Sequence, residues 1–142
     1  MAGEQPRASR LGECWPYRPG IREPYPVLHL RLLNAALEDY GVVEVQVDTG
    51  YEGPIMLPRS DYEFFMAGEL PRSLWRTYRS LTGVVTMRVA HALVEIGGRQ
   101  LETYVESPLY GGGKRLVGRE LLNKLVTLLN GPQERACILE DG

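Results

Sequence analysis

The stretch VEVQVDTGYEGPIMLP, Val43 to Pro58, decides how the rest of the chain is read. Val43, Val45 and Val47 alternate with Glu44 and Gln46, the period-2 pattern of a strand with one buried face. That strand runs directly into Asp48-Thr49-Gly50. Pro54 to Pro58 then reads as a second, short apolar strand after a Gly-bearing turn. A carboxylate at the end of an apolar strand sits where burial and backbone donors can tune it, and Gly50 lets the backbone turn tightly and another chain come close. By average composition the tripeptide Asp-Thr-Gly turns up in about one chain of this length in forty, so its weight comes from what surrounds it. Taken alone, it reads as an Asx-type turn after a strand.

Outward from this block the pattern stays β-rich. Pro26 to Leu33 (PVLHLRLL) is strand-like, with Asn34 to Tyr40 as a wide turn. Ser60 and Asp61 predict the N-cap of a short helix over 62–66, ended by Gly68. Residues 76–96 hold two strand-like runs around Leu81-Thr82-Gly83, the pattern of a long hairpin with a Gly at its tip. Gly97-Gly98 marks a second turn, and Leu101, Thr103 and Val105 alternate after it. Glu102 and Glu106 read as charges on a strand face. RLVGRELLNKLVTLLNGP starts as a strand at Leu116-Val117. It becomes helix-like, with Leu121, Leu122, Leu125 and Val126 on one face, and ends before Gly131-Pro132. Residues 1–24, with four Pro and four Arg, predict an extended or flexible arm; 25–131 form the domain, and 132–142 a C-terminal tail.

Composition bounds the function. The 142 residues suit one domain, and 44% hydrophobic with 24% charged residues is ordinary for a soluble globular chain. A net charge of -2 gives no support to nucleic-acid binding through bulk positive charge or to a membrane-surface role. No apolar run approaches the roughly 18 residues of a membrane span, and the first residues lack a signal peptide's apolar stretch, so a cytoplasmic protein is expected. Cys14 and Cys137, with His29 and His91, are too few and too scattered for a structural zinc site. Those two cysteines are compatible with a terminus-to-terminus disulfide or with two free thiols; a reducing cytoplasm favours the thiols. The segment GGGK, ending at Lys114, lacks the P-loop gap and its Ser or Thr. The two His fall in strands and motivate no catalytic triad.

Three blocks in register resemble the retropepsin-like aspartic proteases, the single-domain family that includes the retroviral enzymes. They are VEVQVDTGYEGPIMLP, then HALVEIGGRQLETYVESP (91–108), then LVGRELLNKLVTLLN (116–130), together covering about residues 40–130. The resemblance implies a mainly β fold, a retropepsin-like closed barrel with a flap hairpin and one or two short helices. It implies Asp48 as the catalytic carboxylate and Thr49 as a hydrogen-bonding residue across a dimer. Gly50 would leave room for the substrate backbone. A Glu52–Arg119 ion pair would support the site, and a flap tip would lie at Leu81, Thr82, Gly83 and Val84. It also implies peptide or unfolded-protein substrates, taken as extended chains with apolar side chains, and no metal or other cofactor. The flap is poorer in Gly than the retroviral one.

Carboxylate arithmetic then sets the assembly. The chemistry needs two Asp carboxyls sharing one proton, while the chain has only Asp39, Asp48, Asp61 and Asp141, with one Asp-Thr-Gly. An active enzyme must therefore be a homodimer with one Asp48 from each copy, and an acidic optimum follows. The alternatives are a catalytically weak or inactive retropepsin-fold module for dimerisation or peptide binding, and an unrelated small β-barrel.

Overall fold

A computed structural model describes residues 10–140 of the chain, and strands dominate it. The strands are β1 (Arg10–Pro16), β2 (Val27–Asn34), β3 (Asp39–Val47), β4 (Ile55–Met56), β5 (Arg76–Ser80), β6 (Gly83–Ile96), β7 (Arg99–Pro108), β8 (Leu116–Val117), β9 (Val126–Asn130) and β10 (Arg135–Glu140). Two single-turn helices, α1 (Arg59–Tyr62) and α2 (Arg119–Leu122), interrupt them.

The larger sheet has the order β2-β3-β8-β4-β7-β6-β5. β2 also pairs with β6, from Arg31↔Glu95 to Asn34↔Ala92, so the sheet folds back on itself. Among the described residues β5 pairs with β6 alone and lies outside this folded-back circuit. The alternation in β3 is realised: Val43 and Val45 are buried, while Glu44 and Gln46 face outward. Leu28, Leu30 and Leu32 of β2 are fully buried and pack into the same core as Ile55, Leu57, Tyr62, Phe65, Val94 and Val105. A one-residue slip in either strand would turn these side chains to water, so burial fixes the register.

The chain ends depart from expectation. Within the expected extended or flexible arm, residues 10–16 form a strand whose Trp15 joins the core, and the expected C-terminal tail holds a strand. β1 and β10 pair antiparallel, and β10 pairs with β9 in a three-stranded sheet ordered β1-β10-β9. Each strand is too irregular to announce itself, and each is made a strand by its partner. Residues 1–9 of the arm and 141–142 of the tail lie outside the described residues. Cys14 and Cys137 face each other in this register and form a disulfide, in place of the two free thiols expected. At a sequence separation of 123, no local pattern could show the pairing.

The first expected helix is present, as α1 continued by a 3-10 helix over Glu63–Gly68 that ends at the expected glycine, whereas the second is shorter than expected. The helical face drawn through Val126 breaks, because α2 ends at Leu122 and Val126–Asn130 is strand β9. Leu121 alone is buried, and Val126 and Thr127, β-branched, favour pairing with β10. Ser60 and Asp61 lie inside α1 rather than capping it; Pro58 is the N-cap and makes no side-chain cap bond. Asp61 instead turns inward. It accepts hydrogen bonds from Tyr40 Oη (2.5 Å) and from Arg115 Nε (2.8 Å) and Nη2 (3.1 Å), joining α1, β3 and the approach to β8.

Burial pushes the Asp61 carboxyl up, but the bonds from Arg115 and Tyr40 outweigh it and hold it below the usual carboxylate range. Glu69, bonded by Arg88 Nε (2.7 Å) and Tyr62 Oη (2.8 Å), is held down against burial in the same way. Both groups bind protons less readily folded than unfolded. Their contribution is therefore present above their ordinary values of 3.8 and 4.5 and is lost as pH falls through the depressed folded values. Thermal melting should thus fall as pH drops below about 4.5, and Asp61→Asn should flatten that acid limb. Reducing the disulfide should lower unfolding free energy by about 2–5 kcal/mol, measured by denaturant titration with and without a phosphine reductant.

Candidate active site

The Asp48 loop is built by backbone pairing before any side chain acts. β3 runs parallel to β8, with Gln46 opposite Leu116 and Val47 opposite Val117. Asp48 N–H donates to Val117 O at 3.0 Å, so the ladder extends onto the acid itself. The chain then turns: Gly50 N–H donates to Asp48 Oδ1 at 2.9 Å and Tyr51 N–H to Asp48 O at 3.2 Å. One carboxylate oxygen is thereby oriented by its own loop. Asp48 is half-buried, whereas Thr49 and Gly50 are exposed.

The Gly118-Arg119 segment closes on this loop. Gly118 N–H donates to Pro54 O and Arg119 N–H to Tyr51 O, both at 2.9 Å. A Cβ on Gly118 would fall inside the contact distance of Gly53 O and the Tyr51 ring, so only glycine permits the approach. Glu52 and Arg119 form an ion pair at 3.3 Å, with side chains 70% and 49% exposed. At that exposure such a pair contributes about 0–1 kcal/mol, and the backbone bonds and the glycine contact hold the segment.

Asp48 opens into a groove of about 250 Å³ lined by Tyr51, Met56, Tyr78, Val85 and Met87 among others. Asp48, Gly50 and Glu52 meet there with the lower part of the β5–β6 hairpin, through Tyr78, Arg79 and Ser80. Within the single chain the hairpin tip is not part of that lining. Leu81 and Thr82 form a two-residue connection between Ser80 and Gly83, and Leu81, Thr82, Gly83 and Val84 are all exposed. Gly83 has φ +130°, a backbone state that other residues rarely adopt.

Below the groove lies a group that the sequence reading missed. Glu106, expected as a strand-face charge, is fully buried. It accepts bonds from Tyr51 Oη at 2.6 Å, Tyr78 Oη at 2.8 and 2.9 Å, and Arg76 Nη1 at 3.0 Å. Burial pushes its carboxyl above the ordinary range, against the two hydroxyls and the guanidinium that favour the ionised form. Burial and the same carboxylate raise the Tyr51 and Tyr78 hydroxyls, which stay protonated as donors. The alternation of β7 ends at this point, since Thr103 and then Val105 through Pro108 are buried. No local signal marks it, because the side chains that close over Glu106, those of Tyr51, Tyr78 and Arg76, come from distant segments.

Other candidates assemble nothing. A larger cavity of about 500 Å³ holds Trp15, His29, Arg31, Glu95 and Arg99, but its charges are engaged: His29 with Glu44 at 3.3 Å and Arg31 with Asp39 at 2.7 Å. Among the described residues, no three His, Cys, Asp or Glu side chains are grouped to hold a metal. His91 is exposed beside Tyr104.

No family model and no curated protein matches the sequence. Solved structures do. A retropepsin-like aspartic protease from Rickettsia conorii superposes with a TM-score of 0.59 at 14% identity, covering 96% of this chain and 98% of its own. The EIAV protease complexed with the inhibitor HBY-793 superposes with a TM-score of 0.53 at 15% identity, covering 75% of this chain and 93% of its own. The chain has a retropepsin fold.

Gly118→Ala should destabilise the folded protein by about 1–3 kcal/mol, because backbone must move to admit the methyl group. Chemical denaturation measures it, and an unchanged midpoint would show that the loop contact is looser than its geometry.

Proposed function

We propose that this protein is an aspartic endopeptidase acting as a homodimer, hydrolysing peptide bonds in extended peptides or unfolded proteins. The observation that carries the proposal is the placement of Asp48. It lies half-buried at a strand end, with one oxygen held by Gly50 N–H and a groove open between it and a hairpin. The likeness of fold to aspartic proteases supports the same reading.

The mechanism needs two such carboxyls about 3 Å apart, which repel unless they share one proton. The second is the Asp48 of another copy. The protonated carboxyl gives its proton to the scissile carbonyl oxygen, while the ionised one takes a proton from water as the water oxygen attacks the carbonyl carbon, leaving one proton on the pair. The tetrahedral diol then collapses. The C–N bond breaks as a carboxyl proton passes to the leaving nitrogen and a diol hydroxyl returns its proton to the other carboxylate, so the pair again holds one proton. The apparent pKa values belong to the pair, and activity is greatest where one proton is retained, on the acid side of neutrality.

The remaining residues take supporting parts. Thr49 is exposed in the single chain, which supports a hydrogen bond to the second copy. Gly50 leaves room for substrate backbone. Glu52 and Arg119 steady the outer edge of the loop. The β5–β6 hairpin serves as a flap, and Leu81 at its tip is fully exposed, available to substrate or to the other copy's flap. Substrate adds as a strand between flap and Asp48. Among the described residues no helix is long and apolar enough to cross a membrane. The Cys14–Cys137 disulfide supports an oxidising compartment over the cytoplasm expected from sequence.

The test is hydrolysis of an unfolded protein and a mixed peptide library from about pH 3 to 7, comparing wild type with Asp48→Asn, with sedimentation to fix the assembly. Wild type should cleave as a dimer, and Asp48→Asn should lose about 10²–10⁴-fold in rate while remaining dimeric. A monomer at working concentration would overturn the proposal. Equal cleavage by both proteins would point to a contaminant, and a dimer that binds peptide without cutting it would mark a binding module.

A further inference from the structure

The proposed water chemistry makes no use of Glu106, yet Glu106 is the most deeply buried carboxylate among the described residues. Its cross-strand neighbours, Met56 on β4 and Val89 on β6, are apolar. A strand position between two apolar partners needs no acid, and a buried charge costs several kcal/mol unless it is fully paired. What the carboxylate does provide is acceptor capacity, about four lone-pair sites on two oxygens.

Those sites are used by groups from separate segments. Tyr51 belongs to the loop that carries Asp48, three residues on. Tyr78 and Arg76 belong to β5, the first strand of the hairpin. Arg76 Nη1 also reaches Glu120 Oε1 of α2 at 2.8 Å, and its guanidinium lies 5.1 Å from the Tyr104 ring. The Tyr51 and Tyr78 rings meet edge-on at 5.9 Å. The charged and titratable groups facing Glu106 are thus Tyr51, Tyr78 and Arg76, with Glu120 acting through Arg76. Gly53 completes the arrangement, because a Cβ there would lie 2.5 Å from both Glu106 Oε1 and Tyr51 Oη. Among the described residues β5 has no sheet neighbour other than β6. Without this tether, the hairpin would be held over the groove chiefly through β6.

We infer that Glu106 is a positioning residue: its carboxylate ties the hairpin to the Asp48 loop and sets the height of the groove in which substrate lies. The consequence for turnover rests on the protease reading above; the tether itself can be measured without turnover. Glutamate suits the task because three donors converge on it. Glutamine offers one acceptor oxygen and adds a donor, while aspartate withdraws both oxygens by about 1.5 Å.

The test is amide hydrogen exchange of the full chain, with kcat and KM for a cleaved peptide, in wild type, Glu106→Gln and Tyr78→Phe. In Glu106→Gln, amides of residues 76–86 should exchange about tenfold faster while β2 and β3 keep their protection, and KM should rise about tenfold with a smaller change in kcat. Tyr78→Phe should move both readouts the same way by less. If Glu106→Gln loses protection throughout, Tyr78→Phe decides alone. Unchanged hairpin exchange, or faster exchange with KM unmoved, overturns the inference. A wild type that cuts nothing removes the protease reading but leaves the exchange contrast to decide the tether.

Discussion

The close approach of Gly118 to the loop between Tyr51 and Gly53 is the contact on which the candidate site depends. Parallel pairing of β3 and β8 delivers Asp48 to the edge of the core. A parallel pair two residues long supplies few hydrogen bonds, so the loop beyond it needs a second anchor. That anchor is Gly118, where two backbones meet without a side chain between them and the hydrogen bonds of Gly118 and Arg119 run onto Pro54 and Tyr51. From there the order of causes is plain. The loop fixes one oxygen of Asp48, Tyr51 carries the position of the loop down to Glu106, and Glu106 passes it to the hairpin.

Much of this was legible because it is local. The alternation of Val43, Val45 and Val47 has one interpretation at strand period, and Gly97-Gly98 and Gly83 mark turns through backbone freedom, with φ of +60°, +74° and +130° in the folded chain. Other features depended on partners distant in sequence. β1 and β10 are strands because each completes the other, and β9 is a strand because β10 pairs with it, which overrides a leucine spacing that would also suit a helix. Glu106 defeats residue-type reasoning altogether: a Glu in an alternating segment reads as solvent-facing until Tyr51, Tyr78 and Arg76 are seen to close over it.

The charged residues divide by burial rather than by number. Glu52 and Arg119 make the ion pair that the resemblance pointed to, yet at the surface it is a minor contributor. Asp61 and Glu106 are buried and satisfied by several donors each: Asp61 ties α1 to β3 and the approach to β8, and Glu106 ties β7 to β5 and the Asp48 loop. Arg115 and Arg76 approach from the rim, with their stems against the protein and their guanidinium forks turned toward those carboxylates.

The pairing of β1 with β10 has a consequence in time. Contacts that span nearly the whole described chain form late, because the entropy of closing so large a loop is lost before they return anything. During synthesis β1 emerges first and its partner last, so its edge stays open while the folded-back sheet assembles. The irregular pairing between Leu11 and Cys14, around Gly12, bends the pair once it has formed. The disulfide then records completion, since Cys14 and Cys137 meet only once the last strand has arrived.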